Sequence, residues 1–146
     1  FVLNLGPKAD GTFCEQEQNI ISEIGKWTKK NEEAIWGTQP YKVFGEGKKQ
    51  KGGSFTEHFS YTSKDYRFTC NTGAVYAFAL KPYAKSEFKI KSLADSMDLF
   101  HCVIKNVSVL GSDEKVRFTQ NKKYLTIKLS EKVNETMPIC FKIEVD

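Results

Sequence analysis

Apolar and polar positions divide this chain into three successive styles. The first residues, FVLNL, form a nearly continuous apolar run, the pattern of a short strand buried on both faces in a parallel sheet. GPKADG then breaks the run. Thr12-Phe13-Cys14-Glu15 has the T-x-x-E form of a capping box, so a helix is expected to start there. From residue 15 to about residue 30, Ile20, Ile21, Ile24 and Trp27 fall on one stripe at helical spacing, and Asn31 suits a left-handed C-terminal position.

The second style, GTQPYKVFGEGKKQKGGS at 37–54, holds five glycines, a proline and a lysine cluster at Lys48, Lys49 and Lys51. That composition resists regular structure and reads as a surface connector, placed at 39–54. The third style alternates with a period of two. Residues 66–70, 74–80, 87–93, 103–110, 115–119, 124–129 and 139–145 are β-rich runs, punctuated by Asn71-Thr72-Gly73, Gly111-Ser112-Asp113 and Gln120-Asn121-Lys122. Alternation is clearest in Leu125, Ile127, Leu129 and in Ile139, Phe141, Ile143, Val145, which places one apolar face inward. Some seven antiparallel strands predict a two-sheet sandwich over residues 55–146. Between them, 93–100 reads as a loop whose Met97, Leu99 and Phe100 tuck under one end.

Composition narrows the classes. At 146 residues the chain is sized for about one domain. No apolar run approaches the roughly 20 residues a membrane helix needs. The net charge of +4 rests on lysine, with only Arg67 and Arg117 among the arginines; nucleic-acid readers cluster basic groups and use arginine at base edges. The Lys48–Lys51 run lacks interleaved aromatics and reads as a solvated linker rather than a polyanion site. Cys14, Cys70, Cys102 and Cys140 form no CxxC pair, and His58 and His101 stand apart, so no metal-ligand spacing occurs. Four cysteines allow three disulfide pairings or four buried thiols, and sequence does not choose. Two acceptor sequons, at Asn106 and Asn134, are glycosylation candidates and lean towards a secretory compartment.

No nucleophile–base arrangement is recognisable. Asp10, in an Asp-Gly pair, reads as turn chemistry, and Glu15 and Glu17 as charges favoured at a helix start.

Several motifs together resemble the C-terminal portion of the retaining α-L-fucosidases: VLNLGPKADGT, EIGKW followed by NEEAIWGT, KVFGEG, YTSKDYRFT, VYAFAL and IKNVSVLGS. The resemblance runs essentially the whole length of the chain. Departures fall at helix ends, where family members usually carry glycine in place of Glu32 and proline near Cys14. It implies a mainly β chain: residues 1–38 as the last strand and helix of a (β/α)8-type catalytic barrel, 39–54 as connector, and 55–146 as the C-terminal antiparallel sandwich.

On this reading the strand and stripe were made to lie against barrel elements outside this sequence. Leaving Ile20, Ile21, Ile24 and Trp27 uncovered forgoes about 1.5–3 kcal/mol apiece. The family's two catalytic carboxylates come from earlier barrel strands, so no catalytic residue is expected here and the 146-residue chain is expected to be inactive alone. Asn4, Gly6 and Pro7, after the last barrel strand, would shape the rim of the substrate pocket, Asn4 chiefly through backbone hydrogen bonds. Trp36, Tyr41 and Phe44 would form a seam between barrel and sandwich.

The parent would remove terminal α-L-fucose from glycans with retention, without cofactor or metal. Its fucosylated substrate would bind the barrel; neither nucleic acid nor a membrane is a partner, and homo-oligomerisation of the parent stays open. Its destination would be lysosomal or secreted. The alternative is a free-standing β-sandwich that binds carbohydrate or protein through its loops.

Overall fold

A computed structural model describes residues 3–48, 60–95 and 101–146. Helix α1 spans Glu15–Lys30, and a short 3-10 turn follows at Glu32–Ala34. Eight strands come next: β1 Gln39–Glu46, β2 Tyr66–Asn71, β3 Ala74–Ala79, β4 Glu87–Ile90, β5 Ile104–Val109, β6 Arg117–Gln120, β7 Leu125–Lys128 and β8 Ile139–Val145. They form a five-stranded sheet in the order β1-β2-β3-β8-β5 and a three-stranded sheet in the order β4-β7-β6, with every pairing antiparallel. The expected sandwich is present.

The inner faces meet as the alternation requires. Phe68, Val75, Ala77, Val107, Val109, Phe141 and Ile143 from the large sheet pack with Phe88, Ile90, Leu125, Ile127 and Leu129 from the small one. The Phe88 and Phe141 rings cross edge to face at 4.9 Å, a favoured quadrupole geometry. The large sheet's outer face is covered too. Ala34, Ala74, Tyr76, Phe78, Leu110 and Cys140 form a second cluster, with Trp27, Ile35 and Leu80 packed against it. Every residue of β3 is therefore buried. On β8, Cys140 is buried on the outward side, where simple alternation predicts exposure.

Several local expectations are corrected. Residues 3–7 form no strand; a strand needs a ladder partner, and none of the described residues pairs with them. Phe1 and Val2 lie outside the described residues. The capping box does not form: Cys14 is the N-cap and makes no side-chain cap bond, while the Thr12 hydroxyl and N–H both donate to Asp10 Oδ1, at 2.7 and 2.9 Å. Asn31 has φ −110°, outside the left-handed region.

The supposed connector carries β1, paired with β2 through a register shift between Pro40 and Gly45. The run at 87–93 stops as a strand at Ile90 and continues as a 3-10 turn, Lys91–Leu93. Met97, Leu99, Phe100, His58, Lys49 and Lys51 lie outside the described residues. All four cysteines are free thiols, with Cys140 buried, Cys14 and Cys70 half-buried and Cys102 exposed. No helix among the described residues is long and apolar enough to cross a membrane.

Candidate functional site

The helix is tied to the sandwich through its last turn. Trp27 donates its indole N–H to the Pro138 carbonyl at 2.6 Å and sets its ring 5.9 Å from Phe78. Lys30 pairs with Glu135 at 2.6 Å. Its aliphatic stem lies against Gly111, where the approach and a φ of +67° exclude a side chain. Further up the stripe exposure rises: Ile21 is half-buried, Ile20 is 58 % exposed and Ile24 36 %, and no residue of α1 is buried.

The NEEAIWGT segment builds the joint. Asn31 is buried and donates from Nδ2 to the Trp27 carbonyl at 2.9 Å, closing the helix end. Glu33 Oε1 accepts from Tyr76 Oη at 2.8 Å and from Lys142 Nζ at 2.6 Å. The Lys142 ammonium thus holds the Glu33 carboxyl below its usual pKa, and Glu33 in turn raises Lys142. Tyr76 is raised by burial and by its bond to Glu33. Ala34, fully buried, receives the Thr69 hydroxyl at its carbonyl at 2.7 Å. Thr38 donates to the Ile35 carbonyl at 3.0 Å, closing the turn before β1.

KVFGEG builds a second joint. Gly45 lies where a Cβ would strike the Tyr66 carbonyl and the Arg67 side chain, and Gly47, at φ +99°, lies where one would overlap Asp65. Glu46 between them reaches the other sheet's strand end, accepting the N–H groups of Lys91 at 3.0 Å and Ser92 at 2.6 Å. It neutralises the open start of that 3-10 turn.

Asp65, 1 % exposed, gathers three pieces of chain. Its carboxylate accepts from the Thr62 N–H and hydroxyl, both at 2.6 Å, and from the Lys48 N–H, while its carbonyl accepts the Leu80 N–H at 3.0 Å. Burial acts to raise its pKa. The bonds from Thr62 and Lys48 and the Arg67 charge outweigh that and hold the carboxyl below its usual value.

The expected rim residues lie at the surface. Asn4, Gly6 and Pro7 are exposed, and the Gly6 N–H donates to Glu17 Oε1 at 3.3 Å. Asp10 serves its turn, and its bonds from Thr12 lower its pKa. Of the aromatic trio, Tyr41 packs edge to face on Phe68 at 6.0 Å, and burial pushes its hydroxyl up to about 12. Trp36 and Phe44 are 68 % and 64 % exposed. Asn106 lies exposed on edge strand β5, bonded to Glu144 at 2.9 Å, and Asn134 lies in an exposed loop. No three His, Cys, Asp or Glu side chains among the described residues are grouped to hold a metal ion.

Sequence reasoning missed Glu33, Glu46 and Asp65 as organising groups. Signals were present: Glu46 between two glycines, and Thr62-Ser63-Lys64-Asp65 with a hydroxyl three residues before a carboxylate.

The fold recurs in solved α-L-fucosidases. Alpha-L-fucosidase isoenzyme 1 from Paenibacillus thiaminolyticus matches 99 % of this chain with TM-score 0.66 at 16 % identity, and this chain covers 30 % of it. The alpha-fucosidase of Thermotoga maritima matches 97 % with TM-score 0.67 at 21 % identity, again over 30 % of its length. The likeness establishes the fold class, a sandwich with a helix seated on its outer face. The sequence adds the family: residues 52–144 match the alpha-L-fucosidase C-terminal domain, and the chain belongs to that family. An alpha-L-fucosidase from Dictyostelium discoideum is 40 % identical over 43 residues, which are 30 % of this chain and 9 % of that protein. The chain thus spans less than a third of the length of these relatives.

Proposed function

We propose that this chain serves as the C-terminal, non-catalytic part of an α-L-fucosidase, a glycosidase that removes terminal α-L-fucose from glycans with retention. The half-docked helix carries this reading. Trp27 is seated on the sandwich, whereas Ile20 and Ile24 on the same stripe face outward, as a helix does when its other side closes a barrel. The division at residues 1–38 and 55–146 is proposed on the same ground, with β1 joined to the sandwich. The chemistry belongs to two carboxylates of the barrel and requires no cofactor. Asn4, Gly6 and Pro7 are proposed to border the pocket once the barrel is present.

The purified chain, assayed with an aryl α-L-fucoside, is expected to give no turnover. Supplying it to a fucosidase barrel that lacks its own C-terminal segment is expected to raise soluble activity. Turnover by the chain alone, with contaminating enzyme excluded, overturns the proposal.

A lysosomal or secreted destination is proposed from the two exposed sequons. Expression through a secretory pathway is expected to add glycan to Asn134 more fully than to Asn106, whose amide is engaged by Glu144 on a strand. Intact-mass analysis of Asn106→Gln and Asn134→Gln reads this directly.

A further inference from the structure

A cleft of about 250 Å3 on the sandwich surface is lined by Tyr61, Thr62, Ser63, Lys81, Tyr83 and Lys85. The named lining residues carry two phenol rings, two aliphatic hydroxyls and two ammonium groups, with no carboxylate among them. Tyr83 is 56 % exposed and Tyr61 37 %. Among the described residues, neither Lys81 nor Lys85 forms an ion pair with an acidic side chain.

Both walls are held by hydrogen bonds. Tyr83 projects from a turn whose preceding Pro82 is fully buried. The following Ala84 has φ +59°, in the left-handed region that residues with a Cβ rarely adopt. That conformation is held by hydrogen bonds from Ala84 N–H to Val133 O at 2.8 Å, Val133 N–H to Lys85 O at 2.8 Å and Lys85 N–H to Pro82 O at 3.0 Å. Strain of this kind persists where surroundings enforce it, and it gathers at binding sites. On the opposite wall Thr62 is fixed by the buried Asp65. The Tyr61 ring has the Arg67 guanidinium 5.7 Å from its centroid, and Arg67 also lies 5.3 Å from the Phe44 ring. The cleft therefore presents two tyrosines beside lysine and arginine side chains.

Flat, amphipathic rings suit the C–H face of a sugar, with hydroxyl groups at their edges for its polar rim. Lysine ammonium groups suit a ligand charge and, unlike a guanidinium fork, impose no bidentate geometry on it. The geometry points to a binding site for an anionic saccharide: one ring lies between Tyr61 and Tyr83, and Lys81 and Lys85 neutralise its carboxylate, sulfate or phosphate. This site lies on the sandwich and stands whether or not the parent hydrolyses fucosides.

The test titrates the full chain by NMR or calorimetry with a sulfated disaccharide, a sialylated trisaccharide, their neutral parents and inorganic sulfate. Both charged sugars, or one of them, are expected to bind more tightly than the neutral parents, with affinity falling as salt rises. The pair Lys81→Gln/Lys85→Gln is expected to lose about tenfold or more on the charged sugars only, and Tyr83→Ala a similar factor on charged and neutral sugars alike. Lys105→Gln, distant on the β5 edge, is expected to change nothing. Which charged sugar binds identifies the anion. Equal affinity for neutral sugars, binding of sulfate as tight as of the sulfated sugar, or retention of binding in both cleft variants with their fold intact overturns the proposal.

Discussion

The Trp27 indole and the Pro138 carbonyl meet at 2.6 Å across 111 positions of sequence, tying the helix end to the entry of β8. This bond, with the ring on Phe78, makes α1 part of the sandwich at one end only. Trp27→Phe keeps most of the ring and removes the donor, leaving the carbonyl without its partner. A loss of about 1–2 kcal/mol is expected, read as a lower urea midpoint with unchanged m-value. An unchanged midpoint would contradict the assigned bond.

Asp65 gives the fold a pH dependence of definite sign. Its carboxyl sits below its ordinary value in the folded chain, so its contribution is fully present above the unfolded value of about 3.8–3.9. It is lost as pH falls through the lower folded value. Asp65→Asn is expected to be less stable than the parent at pH 7, with the difference shrinking as pH is lowered past 4. Urea midpoints of the two proteins between pH 3 and 7 measure it; parallel curves would refute the assignment.

Gly47 and Gly73 both have positive φ, +99° and +92°, but only Gly47 is crowded. Gly73→Ala is expected to cost about 1 kcal/mol from backbone conformation alone. Gly47→Ala adds an overlap with Asp65 and the Lys64 backbone, and a loss of more than about 3 kcal/mol is expected. Equal thermal shifts for the two variants would show that the Gly47 loop opens freely.

The same residues explain what the sequence disclosed. β2 and β3 were legible as two β-rich runs on either side of Asn71-Thr72-Gly73, whose glycine takes the turn. β8 was legible because Ile139, Phe141, Ile143 and Val145 repeat every second position. β1 was hidden because Gly45 and Gly47 read as breakers; they are required by close approach to Tyr66 and Asp65, a tertiary fact that composition does not encode. The capping box failed for a local reason, since Asp10 captures the Thr12 hydroxyl first. The stripe of α1 was correctly placed as apolar, but spacing alone does not say that Trp27 docks and Ile20 does not. The Tyr61–Tyr83 cleft joins positions 22 apart through two turns, and no linear motif announces it.

The stripe itself supplies the decisive comparison. Ile20→Glu/Ile24→Glu, introduced into this chain alone, alters exposed positions and is expected to shift stability by no more than about 0.5 kcal/mol. The same pair, introduced into a polypeptide that also carries the proposed catalytic barrel, buries two unpaired charges and is expected to lower soluble fucosidase yield several-fold. Thermal midpoints of the first and activity per milligram of the second are the measurement. Near-identical midpoints with a collapse in activity are the predicted result; full activity in the barrel-bearing protein would contradict the claim that this helix face is made to be covered.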